Sequence, residues 1–322
     1  MRHAFMVALA TSSFLLAAPV IAQTWPSERP ITIVIPYPPG GGSDATVRPI
    51  TDKLKAALGQ TIVVENRGGA SGMTGSEYVA RAKPDGYTIL LGTVASHALN
   101  LFLFKKVPYD PVKDFAQIAP GVNTIVSLAV HSSVPANNVA EFIAYAKANP
   151  GKLSFGSSGN GSPHHIGGEL LNSLAGIDMV HVPYRGGGPA TADLVGGQIP
   201  AAFLSIASVQ GYLASGRAKV LGVLETKRYL AMPNIPRIGE TVPGAELDTW
   251  NAFFAPAGTP PDIIAKLNSA IVTALQSDDL KAQFDAAGIA PIGGSPDDLR
   301  RMQEDVIARM GPLSKKIGLV AE

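Results

Sequence analysis

The sequence predicts an α/β chain of two lobes, each built on a mixed, mostly parallel sheet flanked by helices. Three observations predict it: short Val- and Ile-rich runs without polar alternation, amphipathic helical segments between them, and a strand–glycine–helix pattern that occurs twice. A run that is apolar throughout suits a strand covered on both faces. Strands alternating with helices are the pattern of parallel crossover units.

Residues 1–22 read as a secretory signal peptide. Arg2 precedes an apolar stretch over 4–20, and Val20-Ile21-Ala22 stands before Gln23, which places cleavage after about Ala22. Thr11, Ser12 and Ser13 interrupt the stretch, leaving it short of the roughly 20 continuous apolar residues of a membrane span. The rest of the chain is therefore expected to work outside the cytoplasm. It has no cysteine, so no disulfide braces it and it must rest on its own packing. About 300 residues suffice for that, and form two lobes more naturally than one core.

The strand-like runs are 31–35, 62–64, 88–91, 124–130, 153–155, 179–182, 201–204 and 220–223. Between them, Asn138 with Glu141 forms a capping box before Phe142, and Asn149-Pro150-Gly151 stops that helix. Thr259-Pro260 opens another, with Ile263, Leu267, Ile271 and Leu275 on one stripe. Ser295-Pro296-Asp297-Asp298 opens a third, carrying Leu299, Met302 and Val306. The chain is expected to cross between lobes near Asn123 and again near Glu225. That gives a first lobe of 24–123 plus 227–288 and a second of 124–226 plus 289–322, the last helix packing across both.

The repeat carries the functional argument. Pro36-Tyr37-Pro38-Pro39-Gly40-Gly41-Gly42-Ser43-Asp44 follows the first strand, and Pro183-Tyr184-Arg185-Gly186-Gly187-Gly188-Pro189-Ala190 follows a later one. Each sets Pro-Tyr, a glycine triplet and then a helix start. Glycines hold no side chain between backbone and ligand, and the first helical turn beyond them offers unpaired N–H groups at a positive dipole end. Such a turn suits an anion, and two of them at the carboxyl ends of parallel strands could face each other across a cleft.

Other chemistries fit less well. Twenty-six Lys and Arg against 25 Asp and Glu, without clusters, exclude a nucleic-acid surface. Gly40-Gly41-Gly42-Ser43-Asp44-Ala45 satisfies G-x-G-x-x-A with Glu65 ending the next strand, yet Pro38-Pro39 makes the turn longer and stiffer than a dinucleotide turn. No Gly-Lys-Ser/Thr follows the glycines, no G-x-S-x-G occurs, and no thiol is available. His164 and His165, adjacent on a helix, point about 100° apart and cannot share a metal as an i, i+4 pair would. His97 follows a strand and reads as a packed or surface residue. No catalytic residue, cofactor or metal is expected.

Gly59-Gln60 with Val63-Val64-Glu65-Asn66-Arg67, Lys83-Pro84-Asp85-Gly86-Tyr87-Thr88, Pro108-Tyr109-Asp110-Pro111-Val112-Lys113-Asp114-Phe115, Val182-Pro183-Tyr184-Arg185-Gly186-Gly187 and Phe254-Ala255-Pro256-Ala257-Gly258-Thr259-Pro260 together resemble the Bug family. These are extracytoplasmic receptors of tripartite tricarboxylate transporters, and the motifs run in order from Trp25 to the last helix. The resemblance implies a two-lobed, type II-like periplasmic-binding-protein (flytrap) fold. It implies a periplasmic, monomeric receptor that binds a small organic carboxylate, with a di- or tricarboxylate favoured, and delivers it to membrane permease subunits. An aromatic acid, or presentation of the ligand to a membrane sensor kinase, is the alternative.

In the family, two glycine loops close like pincers on a carboxylate through backbone N–H groups and bridging waters. Here those are Tyr37, Pro39, Gly40, Gly41, Gly42, Ser43 and Asp44, and Tyr184, Gly186, Gly187, Gly188 and Ala190. The resemblance further implies Thr93 and Ser96 from the first lobe, with Ser158, Gly159, Ser162, His164 and Ser205 from the second. Two departures stand out. Gly68 replaces the Pro of Glu-Asn-Arg-Pro-Gly, read as a change in loop stiffness only, and Leu204 after Phe203 adds an apolar group near the cleft, which disfavours a ligand with an ammonium group.

Overall fold

A computed structural model of the chain describes residues 25–40 and 42–316. The signal peptide, Gly41 and the last six residues lie outside the described residues. Eleven strands form two sheets among them: β1 (Ile31–Ile35), β2 (Ile62–Asn66), β3 (Thr88–Thr93), β4 (Phe115–Thr124), β5 (Val126–His131), β6 (Ser154–Ser157), β7 (Val180–Pro183), β8 (Ala201–Ser205), β9 (Ala218–Val223), β10 (Trp250–Pro256) and β11 (Ile289–Pro291). The first sheet runs β11-β4-β10-β3-β1-β2 and the second β7-β6-β8-β5-β9.

Both sheets are mixed, and less parallel than the sequence predicted. β1 pairs in parallel with β2 and β3, and β6 with β7 and β8, whereas β10, β4, β11, β5 and β9 enter antiparallel pairings. Most of the difference comes from β4, β10 and β11, which the apolar runs did not reveal. β4 contains Pro120 and Gly121, which read as turn residues. In the fold they sit in a strand whose register against β10 shifts twice, and a Cβ on Gly121 would stand 2.6 Å from the Asn251 carbonyl oxygen.

The missing alternation has the expected cause. On β1, Ile31, Ile33 and Ile35 pack with Leu54, Leu267, Ile271 and Leu275 on one side of the first sheet. Val34, with Leu90 and Phe254, packs on the other against Met73, Val79, Leu299 and Val306. The second sheet is covered likewise: Leu128, Phe155 and Phe203 meet Phe142 and Leu171, while Ala129, Ala202 and Leu204 meet Ala190, Leu194 and Val209.

Capping holds at two of the three starts the sequence placed; at the third, Thr259 donates to the Pro256 carbonyl and caps no helix N–H. The Asn138 side chain accepts from the Glu141 N–H at the start of helix Val139–Ala148, and Ser295 and Asp298 exchange bonds at the start of Pro296–Lys316.

The chain passes between sheets twice among the described residues. The first passage lies between Thr124 and Val126. The second is later than expected, because 225–249 stays with the second lobe through Ile238, Val242 and Ala245 and returns only at Trp250. The two passages are tied together: the Thr124 N–H donates to the Thr249 carbonyl at 3.1 Å, the Thr249 hydroxyl donates back to the Thr124 carbonyl, and the Leu224 N–H reaches the Val126 carbonyl at 2.9 Å.

The placement of the tail in the second lobe is corrected for residues 289–316. β11 pairs with β4 in the first sheet, and Gln303 of the last helix donates to the carbonyls of His97 and Pro111. The hydrophobic stripe of that helix found its largest apolar surface there. It also reaches the passage and the second lobe: Arg309 donates to the Glu246 carbonyl at 3.2 Å, and Leu299, Val306 and Met310 share an apolar cluster with Leu247, Ile166 and Leu170.

Candidate functional site

Two groups of loops sit at the carboxyl ends of parallel strands. In the first lobe they follow β1 and β3, which are neighbours; in the second they follow β7, β6 and β8, also neighbours. Parallel neighbours send their carboxyl ends to one edge of a sheet. The sequence-predicted residues therefore gather as two sets: Tyr37, Pro39, Gly40, Gly42, Ser43, Asp44, Thr93 and Ser96, and Ser158, Gly159, Ser162, His164, Tyr184, Gly186, Gly187, Gly188, Ala190 and Ser205.

The repeat is structural as well as textual. Gly42 opens helix Gly42–Val47 and Gly187 opens Gly187–Val195. Four residues on, the Thr46 hydroxyl donates to the Gly42 carbonyl at 3.0 Å and the Thr191 hydroxyl to the Gly187 carbonyl at 2.9 Å. Both threonines are buried, so each glycine start is pinned from beneath by the same bond. Gly40 and Gly186 have φ of 86° and 106°, a region that an L side chain strains to reach.

Each loop is then fixed to its lobe by different means. The Asp44 carboxylate accepts from the Gly40 N–H at 3.0 Å and from the Asn66 amide at 3.1 Å, and pairs with Arg48 at 2.7 Å. Its oxygens thus shape the first loop. Ala190 is fully buried beside Leu194 and Leu204 and likewise packs its helix on β8. Tyr184 donates to Asp193 at 2.7 Å, and burial, with that carboxylate, raises its phenol to about 12. Leu204 lies under the second loop, 3.8 Å from where a Gly187 Cβ would stand. Gly68 does more than alter stiffness: a Cβ there would meet Pro38 Cδ at 2.7 Å.

The loop after β6 is the densest in hydroxyls and imidazoles. Ser158 Oγ lies 2.6 Å from His164 Nδ1, and Ser157 Oγ 2.6 Å from His181 Nε2. Ser162 caps helix Pro163–Ala175 by accepting from the His165 N–H, and its hydroxyl donates to the Gly159 carbonyl. His164 and His165 have separate partners, since His165 stacks on His181 with centroids 3.9 Å apart. Burial lowers His164 to about 4, so it is neutral at pH 7. Ser205 Oγ is 2.9 Å from Ser208 Oγ.

Sequence reasoning missed one loop. Residues 69–72 all have positive φ, and Ala70 (47°) and Ser71 (52°) are the two non-glycine residues with that conformation among the described residues. Strain of this kind clusters at functional sites. The turn stands between the two sets: a Cβ on Gly72 would lie 3.0 Å from Tyr37 Oη, while one on Gly161, in the opposite lobe, would lie 3.8 Å from Ser71 Oγ and 3.3 Å from Leu103. The Gly68-Gly69-Ala70-Ser71-Gly72 composition was its only signal.

Beneath the first set, His97 is buried completely in a single π-helical turn, Ala95–Leu99. It stacks on Phe254 with centroids 4.0 Å apart and meets the Phe115 ring edge-on at 4.7 Å. Burial depresses its imidazole to about 3. The unfolded chain, with an ordinary pKa near 6.5, binds a proton that the folded chain refuses, so stability falls as pH drops below about 6.5 and keeps falling towards 3. From this residue alone, about 2 kcal/mol should be lost between pH 7 and pH 5. Denaturant melts at the two pH values check it, and His97→Leu should show a correspondingly smaller drop.

A family model described as the tripartite tricarboxylate transporter family receptor, TctC, matches residues 46–319. The chain belongs to that family. This receptor is 34% identical to protein BugT of Bordetella pertussis over 94% of its own length and 93% of BugT, which accords with the Bug resemblance. Among solved structures, it superposes on an R. palustris protein solved with adipate with a TM-score of 0.83 and 34% identity, covering 92% of this chain and all of that one. MatC from Rhodopseudomonas palustris, with bound malate, gives 0.78 and 32%, covering 89% and 99%. The two-lobed receptor fold is thereby shared at the level of the whole TctC chain, and among the described residues no helix is long and apolar enough to cross a membrane.

Proposed function

We propose that this protein is an exported, periplasmic solute-binding receptor. It captures a small organic carboxylate, a di- or tricarboxylate first, between the loops at 37–44 and 184–190 and passes it to the membrane permease subunits of a tripartite transporter. It acts as a monomer, without cofactor or catalysis. The observation that carries the reading is the doubled glycine start, one per lobe, each pinned by the same threonine bond at the carboxyl end of a parallel strand. The adipate and malate complexes of similar receptors support the ligand class.

The mechanism is thermodynamic. A carboxylate bridging both loops gains charge-assisted bonds that exist together only when the lobes are closed, so binding shifts the population towards closure. The permease reads that shape. No free cation of the second loop is required, since Arg185 is solvent-exposed and backbone N–H groups supply the donors.

A thermal-shift screen of the refolded protein tests this. At about 1,000 times its dissociation constant a true ligand adds roughly 4 kcal/mol, a rise of roughly 6–8 °C for a chain of this size. Succinate, malate, citrate, glutarate and adipate should include the responders. A response confined to benzoate and terephthalate would move the assignment to aromatic acids, and a response to glutamate alone would overturn the exclusion of ammonium-bearing ligands.

A further inference from the structure

A chain of hydroxyls links the first glycine loop to the buried imidazole. Tyr37 Oη lies 2.8 Å from Thr93 Oγ1, Thr93 Oγ1 3.4 Å from Ser96 Oγ, and Ser96 Oγ 2.9 Å from His97 Nδ1. Hydroxyls can donate in either direction along such a chain. What fixes the direction is the end that has no choice.

That end is His97. Its Nε2 has no hydrogen-bond partner among the described residues and sits among the rings of Phe254 and Phe115. A buried N–H without an acceptor costs more than a bare lone pair, so the single proton of the neutral ring belongs on Nδ1, where it donates to Ser96 Oγ. Ser96 Oγ also accepts the Thr93 N–H at 3.0 Å, which fills both its lone pairs. The Thr93 hydroxyl then has one acceptor left within reach, Tyr37 Oη. With Thr93 donating to it, the phenol must turn its own proton away from Thr93.

We propose that His97 is a positioning residue for the ligand site, a tautomer-locked end of a one-way hydroxyl chain that makes Tyr37 a hydrogen-bond donor to an acceptor-only ligand such as a carboxylate. The idea rests on the carboxylate reading above and adds its selectivity: an anion has lone pairs for that proton, whereas a donor group would meet a second donor. Two features keep the chain in one direction. Tyr109 donates to the Ser96 carbonyl at 2.7 Å and Gln303 to the His97 carbonyl at 2.9 Å, clamping the turn from both sides. Burial also raises the Tyr37 phenol to about 12, so its proton is present throughout the working range.

The test has two parts. Nitrogen-15 NMR of the full, histidine-labelled chain reads the tautomer directly, with His97→Leu identifying the signal. The expected result is the Nδ1–H form, unchanged from pH 5 to 8; an Nε2–H form overturns the proposal. Calorimetry with adipate and malate then compares wild type, Tyr37→Phe, His97→Leu, the double variant and His97→Asn, whose amide can still donate to Ser96. Each single loss should weaken binding about tenfold, the double variant no more than either alone, and His97→Asn should restore most of the affinity. Additive losses, which simple structural damage would give, overturn it. Should wild type bind neither acid, the carboxylate reading falls for these ligands, and the tautomer result alone decides whether the chain runs as proposed.

Discussion

Replacing Gly168 by alanine should destabilise the protein, although alanine is the better helix former by about 1 kcal/mol. Gly168 lies within helix Pro163–Ala175, where an added Cβ would overlap the Phe155 ring. That ring cannot yield easily: it is fully buried, stacked on His181 at 5.0 Å and set edge-on to Phe203 at 5.9 Å. Overpacking a filled interior costs about 1–3 kcal/mol and more when nothing can shift. With the ring overlapped outright the cost falls at the upper end, so the net expectation is a loss of about 2 kcal/mol, read as a fall of roughly 3–4 °C in Tm. Gly168→Val should lose more. A rise in Tm for the alanine variant would mean that the helix is not pressed against β6 as described.

Replacing Gly187 by valine should do the opposite: leave the fold and remove the function. Its φ lies outside the left-handed region, and a Cβ there would make only ordinary contacts, 3.6 Å from Ser208 Oγ and 3.8 Å from Leu204 Cδ2. Tm of the ligand-free protein should stay within about 2 °C of wild type. Affinity for the acid found in the screen should fall at least about 100-fold, close to 3 kcal/mol, because the branched side chain stands where the backbone must approach the carboxylate. Unchanged affinity would sink the two-loop model. Gly42, whose carbonyl takes the corresponding threonine bond, is the matching position in the first loop, and a Cβ there would meet nothing within 4 Å, so Gly42→Val is the parallel experiment.

Much of this architecture was legible because it is local. The strands of the parallel cores announced themselves as Val- and Ile-rich runs, and Asn138 with Glu141 wrote its capping box into four letters. β4 and β10 were hidden because their identity depends on each other: Gly121 is required by the close Asn251 carbonyl, a contact between residues 130 positions apart. The glycine loops were visible as a repeat, yet their internal order was not. Nothing in the spelling of Asp44 tells that its carboxylate turns back onto Gly40 and Arg48. The strained turn at Ala70 and Ser71 was opaque for the same reason, since backbone angles of that kind are imposed by neighbours and not by propensity. His97 was read as packed or surface and proves packed, but its partners were invisible because they come from three other segments: Tyr109 with Phe115, Phe254, and Gln303.

The paired passages between the sheets also limit how this receptor can move. The two connections lie side by side, Thr124 bonded to Thr249 and Val126 to Leu224, and such a ribbon flexes about its flat face far more easily than it shears or twists. If the lobes close on ligand as proposed, each stroke would then be a swing along nearly one arc that brings the loops back to the same alignment. Recognition by main-chain groups needs that repeatability, because a few tenths of an ångström of lateral slip would break bonds that no flexible side chain is there to remake. The spacing between the two ends of a bound acid would in this way be measured by the connector, not by the loops that touch it.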